Sequence, residues 1–428
     1  MTRMKDSGIE WIGEVPEEWG IKPIKHIFGA IGSGTTPDSS KVEYYDGNIN
    51  WLQSGDLYKK DYVYAVSKTI TDLGYRSSAS LRIYQAPFLA IAMYGASIGN
   101  LAISKIDACV NQAVAVLKGE ENIVRFTKLA LEISKTELIF AAQGGTQPNI
   151  NQVLIKNWVI PFPSEIEIKK IADFLDKKVA QLDKVKSLLE EQIKTLEDYR
   201  QSLIYETVTK GLDKTVPLKD SGVDWIGQIP EGWEIGRLKD FVKFQTGTTP
   251  PQSVGVNQDE SGVPWFKPGD FSDNSIDLLS SENHITHKVV MQYNLSVYPK
   301  KTILLVGIAS IGKVGYSAQP SYSNQQITAL RTIGEIYPRY LAYLMFSSGR
   351  FIKETALYTV VPIINNQYLA TMRLVLPSEN EQKIIVEYLD RKLEQINQMI
   401  AIKKEQIENI NKQRQTLIYD YVTGKRRV

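Results

Sequence analysis

The run Gly307-Ile-Ala-Ser-Ile-Gly312-Lys313 has the G-x-x-x-x-G-K spacing with which a loop can cradle nucleotide phosphates. Val314 stands where such a loop needs a Ser or Thr hydroxyl for magnesium, and the related stretch Gly95-Ala-Ser-Ile-Gly99-Asn100 has no lysine. A tight turn between two strands is therefore the expected form. His26, His284 and His287 are the only histidines, and the pair three residues apart has no neighbouring cysteine, so no metal site is expected. Gly95-Ala-Ser-Ile-Gly99 has the G-x-S-x-G spacing, but its half of the chain holds no histidine beyond His26, so a duplicated nucleophile triad is excluded; there is no Asn-Pro-Pro-aromatic tetrapeptide and no G-x-G-x-x-G after a strand. The chain reads as non-catalytic and without a cofactor.

What remains are loops rich in Gly, Thr, Ser, Asn and Gln: Gly32 to Thr36, Gln143-Gly-Gly-Thr-Gln-Pro-Asn149, Gly247 to Thr249 and Asn365-Asn-Gln367. Asn and Gln can pair with adenine edges, while hydroxyls and backbone amides bind phosphates. Thr35, Thr36, Ser97, Gly145, Thr146, Gln147 and Asn149 are accordingly candidate DNA contacts in the first half. Thr248, Thr249, Ser310, Lys313, Asn365 and Asn366 are candidates in the second. Basic and aromatic residues cluster at Tyr44, Tyr45, Tyr58, Lys59, Lys60, Tyr62, Tyr64 and Arg76, and again at Lys267, His284, His287, Lys288, Lys300 and Lys301. Lys59, Lys60, Arg76, Lys267, His287 and Lys288 are the cationic candidates among them. Trp11, Trp19, Trp51, Trp225, Trp233 and Trp265 recur where scaffold is shared and read as core.

These loops are positioned by a duplication. KDSGIEWIGEVPEEWGI at Lys5 to Ile21 returns as KDSGVDWIGQIPEGWEI at Lys219 to Ile235. Gly34-Thr35-Thr36-Pro37 returns as Gly247-Thr248-Thr249-Pro250, Trp51 with Gly55-Asp56 as Trp265 with Gly269-Asp270, and Asn111-Gln112 as Asn324-Gln325. Between these motifs, Ser39 to Asn48, Asp56 to Ser80 and their counterparts share almost nothing, so equivalent scaffolds carry different surfaces. Short β-branched and aromatic runs (Ile83 to Met93, Ala113 to Leu117, Ile303 to Gly307) predict strands, and periodicity predicts helices over Ile123 to Phe140 and Tyr337 to Ala356. Each half is a mixed α+β globule.

Each half closes on a long helix. Ser164 with Glu167 and Ser378 with Glu381 have capping-box spacing. Leu182, Val185, Leu189, Gln192, Leu196, Tyr199 and Leu203 then alternate by three and four, as do Ile396, Met399, Lys403, Gln406, Ile410, Gln413 and Leu417, with Ile400 and Ile407 alongside. That is a coiled-coil pattern, expected to pair the two helices. Antiparallel pairing would make the halves equivalent about a pseudo-two-fold axis and bring the end of the second helix near Met1.

Composition agrees with a globular protein: 43% of residues are hydrophobic and 23% charged, enough apolar material for several domains in 428 residues. The 50 basic and 48 acidic residues nearly cancel, so any nucleic-acid affinity must come from basic residues gathered on one face. A single cysteine, Cys109, rules out an intramolecular disulfide and suits a reducing cytoplasm as a buried small hydrophobe. No signal peptide is expected from polar Met1 to Glu10. The uncharged run Ile83 to Ser104 is broken by Pro87, Gly95, Gly99 and Asn100, which predicts two short strands around a turn and no membrane span.

The W-I-G-x-x-P-x-x-W openings, G-T-T-P, the Gly-rich turn, the N-Q pair, the G-T-Q-P-N-I segment and the two long helices together resemble the specificity subunit of type I restriction-modification systems, over the whole chain. The resemblance implies a non-catalytic subunit with target recognition domains at 1–160 and 215–375 and conserved spacer helices at 161–214 and 376–428. It implies double-stranded DNA as ligand, read at a bipartite asymmetric site, and adenine methylation and restriction carried out by others. Two methyltransferase subunits on the spacer helices and restriction/translocase subunits joined through the complex are the implied partners. A coiled-coil adaptor joining two protein ligands is the alternative, separable by gel shift with random-sequence DNA.

Overall fold

A computed structural model describes residues 3–142, 148–250, 262–293, 295–355 and 363–428. It divides into two compact units, Met1–Leu188 with Glu405–Val428, and Leu189–Lys404. The long helices, Glu165–Lys210 and Glu379–Val422, each contribute to both.

In the first unit the strands of the two larger sheets are β1 (Ala30–Gly32), β2 (Tyr45–Leu52), β3 (Tyr62–Val63), β4 (Thr69–Ile70), β5 (Phe88–Ala92), β6 (Leu101–Ser104), β7 (Cys109–Val110) and β8 (Val114–Lys118). Five form one sheet in the order β1-β8-β5-β6-β3, and three a smaller one, β7-β2-β4. Central β5, FLAIA, is buried throughout, with its side chains divided by the period of two. Leu89 and Ile91 face a core completed by Val124 and Leu131 of helix Glu121–Ile133, whereas Phe88, Ala90 and Ala92 face Leu52 and Leu57 from the smaller sheet's side. This explains why the apolar run passes for a membrane segment at first sight: it is a strand covered on both faces. No helix among the described residues is long and apolar enough to cross a membrane.

The second unit repeats the plan with β9 (Val242–Thr246), β10 (Val263–Phe266), β11 (Asp277–Leu278), β12 (His284–Ile285), β13 (Thr302–Val306), β14 (Val314–Ser317), β15 (Tyr322–Ser323) and β16 (Ile327–Thr332). Its sheets run β9-β16-β13-β14-β11 and β12-β10-β15. Ile303 and Leu305 face Tyr340 and Leu344, while Leu304 and Val306 face Phe266 and Phe271, the same alternation as in β5. The α+β expectation and the internal repeat hold.

Within each unit the long helices lie antiparallel. In the first, the Phe174 and Tyr421 rings pack tilted at 40° with centroids 4.6 Å apart, and Asp183 meets Arg414 at 3.4 Å. In the second, Arg200 donates to Asn397 at 2.8 Å and Lys403 to Gln192 at 2.5 Å. The seam differs in frame from the sequence expectation. Val185, Tyr199 and Met399 are about half exposed, at 47%, 52% and 47%, and Gln406 and Gln413 are exposed. The inward positions are 182, 186, 189, 193, 196 and 200 in one helix and 396, 400, 403, 407, 410 and 414 in the other, each set the image of its partner. The two frames share only every seventh residue, 182, 189 and 196 in one helix and 396, 403 and 410 in the other. The one adopted brings Ile193, Ile400 and Ile407 inward, together with Arg200 and Arg414, each of which has one partner on the opposite helix, Asn397 or Asp183, and one outside the long helices, Asn274 or Glu132.

The capping boxes form by half. Glu167 and Glu381 amides donate to the hydroxyls of Ser164 and Ser378, both at 3.3 Å. The glutamate side chains turn elsewhere: Glu381 accepts from Trp233 Nε1 at 3.0 Å, and Glu167 takes the guanidinium of Arg427. Arg427 also reaches Glu18, and Tyr419 Oη donates to the Ile12 carbonyl at 3.2 Å, so the end of the second helix does meet the opening block of the first unit.

Candidate nucleic-acid interface

The order and direction of strands in the large sheet, antiparallel except for β3 beside β6, decide which loops meet. The exit of β1 (Gly34 to Pro37), the exit of β5 (Gly95 to Gly99), the approach to β8 (Asn111-Gln112) and the approach to β3 (Lys59, Lys60) all fall at one end of it. Ile150 joins them, its amide donating to the Met93 carbonyl at 2.8 Å, which brings exposed Asn149 to the same rim. In the second unit Thr248, Thr249, Ser310, Lys313 and Asn324-Gln325 occupy the corresponding end, and Ile364 bonds Gly307 at 2.8 Å to bring in Asn365 and Asn366.

The shared motifs build the rim rather than decorate it. Trp51 Nε1 donates to the Thr35 carbonyl and Trp265 Nε1 to that of Thr248, both at 3.2 Å. Thr36 Oγ1 donates to Gln112 Oε1 at 2.6 Å, and Thr249 makes the same bond to Gln325. Gly34 and Gly247 permit the approach: a Cβ there would stand 1.8 Å from the Val110 carbonyl oxygen and 2.1 Å from that of Asn324. Asp56 and Asp270 accept from the amides of Gln53 and Lys267 at 2.9 Å and 2.7 Å, fixing the next turn. The duplicated G-T-T-P, Trp, Gly-Asp and Asn-Gln motifs are thus one buttress made twice, with the divergent segments mounted around it.

Individual candidates fall into groups. Ser97 and Ser310 sit on the Gly-rich turns with side chains free of hydrogen bonds among the described residues. Asn365 caps a short helix, accepting from the Tyr368 amide at 2.9 Å as Asn151 does from Leu154, and Asn366 bridges Thr328 and Thr246. Lys267 lies at the rim end of β10. Arg76, His287 and Lys288 are exposed on short helices against the smaller sheets, Asp72–Arg76 and His287–Gln292. Gly145, Thr146 and Gln147 lie outside the described residues. Lys313 follows Gly312 in a turn between two strands, and its ammonium bonds the Phe271 carbonyl at 3.2 Å and Asp273 at 3.1 Å, so the phosphate-loop resemblance ends in a strand connection.

Sequence reasoning passed over Lys128 and Lys135. Both belong to the helical pair 121–133 and 135–141, and Lys128 is only 7% exposed. Burial opposes the Lys128 charge, yet Glu132 and Asp61 outweigh it and hold its pKa up. Burial lowers that of Lys135, with Glu132 partly offsetting, and its Nζ donates to Asn100 Oδ1 at 3.1 Å. A lysine inside an apolar helical stripe was the available signal.

A duplicated scaffold that presents polar, divergent rims is the build of a recognition protein. The family model described as the type I restriction modification DNA specificity domain matches residues 16–197 and again 230–411, and the chain belongs to that family. It is 24% identical to the type I restriction enzyme MjaIX specificity subunit of Methanocaldococcus jannaschii, covering 97% of this chain and 95% of that one. Against the EcoBI specificity subunit of Escherichia coli the identity is 25%, over 71% and 65% of the two chains. Among solved structures, a chain described for complex assembly and conformational transition of the type I R-M system superposes with a TM-score of 0.75 at 16% identity, covering 95% and 98%. The HsdS subunit from Thermoanaerobacter tengcongensis gives 0.53 at 18%, covering 96% and 98%; both likenesses concern the fold. The chain is a non-catalytic specificity subunit, with catalysis left to partner subunits.

Proposed function

We propose that residues 1–160 and 215–375 are two target recognition domains, each reading half of a bipartite, asymmetric duplex target, and that 161–214 and 376–428 are spacer helices on which two DNA-methyltransferase subunits dock. Restriction and translocase subunits join through that complex, in the cytoplasm. The reading rests above all on the duplicated buttress, which presents a divergent polar rim at the same sheet end in both units. Two unlike surfaces on one repeated frame suit two unlike half-sites. Within each rim, hydroxyls and lysines such as Thr36, Lys59 and Lys60 would position the backbone, and an amide such as Asn149 would meet base edges.

Selection of bound sequences from random duplex DNA tests this with the full chain. Lys59→Ala with Lys60→Ala should weaken binding at every sequence alike. Asn149→Ala should relax one half of the selected site by about 1 to 3 kcal/mol per lost bidentate pair and leave the other half untouched. Relaxation of both halves by one change would overturn the division of labour.

A further inference from the structure

Beside the Gly95 to Gly99 turn of the first unit lies a recess of about 200 Å³ lined by Lys59, Lys60, Lys128 and Lys135, with Asp61 and Glu132. The two carboxylates are already committed: Lys128 pairs with both, and Arg414 pairs with Glu132 as well. No carboxylate lies within 4.0 Å of the Lys59, Lys60 or Lys135 ammonium among the described residues. Lys59 has the face of Tyr58 at 5.2 Å, Lys135 has only the Asn100 amide, and Lys60 has no side-chain partner. Four cations against two anions leave an excess of positive charge around a cavity below the roughly 300 Å³ at which sites for drug-sized ligands begin.

The second unit shows what this corner looks like when it is neutralised from within. Matching Gly55-Asp56 to Gly269-Asp270 places Asp273 where the first unit has Lys59, and matching the glycine turns places Lys313 where it has Asn100. Lys313 then bonds Asp273 at 3.1 Å and the Phe271 carbonyl at 3.2 Å. At the position of Lys135 stands Gly349, whose carbonyl oxygen would be 2.5 Å from a Cβ on Gly312, where a Cβ on Gly99 would be 2.8 Å from Lys135 Cε. The turn therefore abuts backbone in one unit and a lysine stem in the other. The same corner has been closed in the second unit and left open and cationic in the first.

We propose that the first-unit recess is a seat for a single phosphate group, supplied by the backbone of DNA lying on that rim, and that the second unit has no equivalent seat. This rests on the DNA-recognition reading. Lys60 and Lys135 bind the group from opposite walls. Lys128 fixes the floor through its ion pairs, and the Gly99 turn sets the depth at which the Lys135 ammonium stops.

The test is the salt dependence of duplex binding by the full chain and by Lys60→Gln, Lys135→Gln, the double variant and Lys313→Gln. Glutamine keeps the Lys135 stem against Gly99 and a donor toward Asn100, so the turn is retained. One seated phosphate contributes about 0.9 to the slope of log affinity against log salt. The double variant should lose about 0.9 in total, rather than the roughly 1.8 of two independent contacts, and Lys313→Gln should lose nothing. Unchanged slopes in the first-unit variants, or an equal loss with Lys313→Gln, would overturn the proposal while leaving DNA recognition standing. A parent chain that does not bind duplex DNA would instead overturn the recognition reading. Calorimetric titration with inorganic phosphate separates the sources: weaker phosphate uptake by the variants with unchanged DNA slopes would mean a free anion and defeat the DNA assignment.

Discussion

Replacing Asn397 by aspartate would give Arg200 the kind of partner that the duplicated arginine, Arg414, already has. Arg200 is 4% exposed; its guanidinium donates to the Asn397 amide oxygen at 2.8 Å and to the Asn274 carbonyl at 3.2 Å, and its Nε has no partner. Burial holds its pKa below the ordinary arginine value, with Glu197 opposing. Arg414 is partly buried, yet its bond to Glu132 and the charges of Glu132, Asp183 and Asp61 outweigh burial and hold its pKa up. Burial lifts the pKa of Asp183 itself even though Arg414 pulls it down, so Glu132 is the stronger partner there. Asn397 is exposed and closer to its arginine than Asp183 is, which favours an ionised carboxylate at that position.

The existing bond already has a charged donor, so what the change adds is the attraction of a buried guanidinium for an exposed carboxylate, about 1 kcal/mol after solvent screening. For a cooperative unit of this size that is about 2 to 4 °C in Tm. The new carboxylate would have a depressed pKa in the folded state. Its contribution is then complete above the unfolded value of about 4 and is lost as pH falls through the folded value. Calorimetric melts of the full chain at pH 7 and about pH 2 should show the gain at the first and not at the second. A Tm at pH 7 equal to or below the parent's would refute the idea that Arg200 lacks a charge partner.

Thr36→Val removes the hydroxyl that bonds Gln112, and should cost about 0.5 to 1.5 kcal/mol of rim stability and weaken binding at one half-site, read by titration with duplexes altered in each half. Gly34→Ala drives a Cβ into the Val110 carbonyl and should destabilise the first unit by about 1 to 3 kcal/mol in a denaturant titration. Cys109 is fully buried and its thiol is pushed up to about 12 by burial, so alkylation at pH 8 should follow unfolding alone; labelling of the native chain at the rate of a free thiol would contradict its place in the core. Inserting four residues near Lys194 adds roughly 6 Å of helix and should lengthen the gap between selected half-sites by about one or two base pairs.

The scaffold was largely legible in the sequence because its motifs occur twice. Repetition located the buttress of Thr35, Trp51 and Gln112 before any contact was known, and the Pro87 and glycine breaks placed β5 despite its resemblance to a membrane run. The seam was legible as a coiled coil and wrong in frame, because Arg200 and Arg414 look like surface residues until Asn274 and Glu132, their partners outside the long helices, are in view. The same limit hid Lys128 and Lys135, which a linear reading assigns to a helix and only the tertiary fold brings to Lys59 and Lys60. Asn365 drew attention as a polar loop residue, whereas its oxygen caps a helix as that of Asn151 does; a cap and a base-reading amide are alike in sequence.

The central claim is that one chain reads two half-sites, one per unit. Mapping methylated adenines in a host that expresses this chain with its methyltransferase and restriction subunits tests it directly, especially when repeated after exchanging residues 1–160 for those of a relative with another target. The account predicts one two-part sequence with a fixed gap, of which the exchange alters one part only. Methylation without a common sequence, or an exchange that changes both parts together, would contradict it.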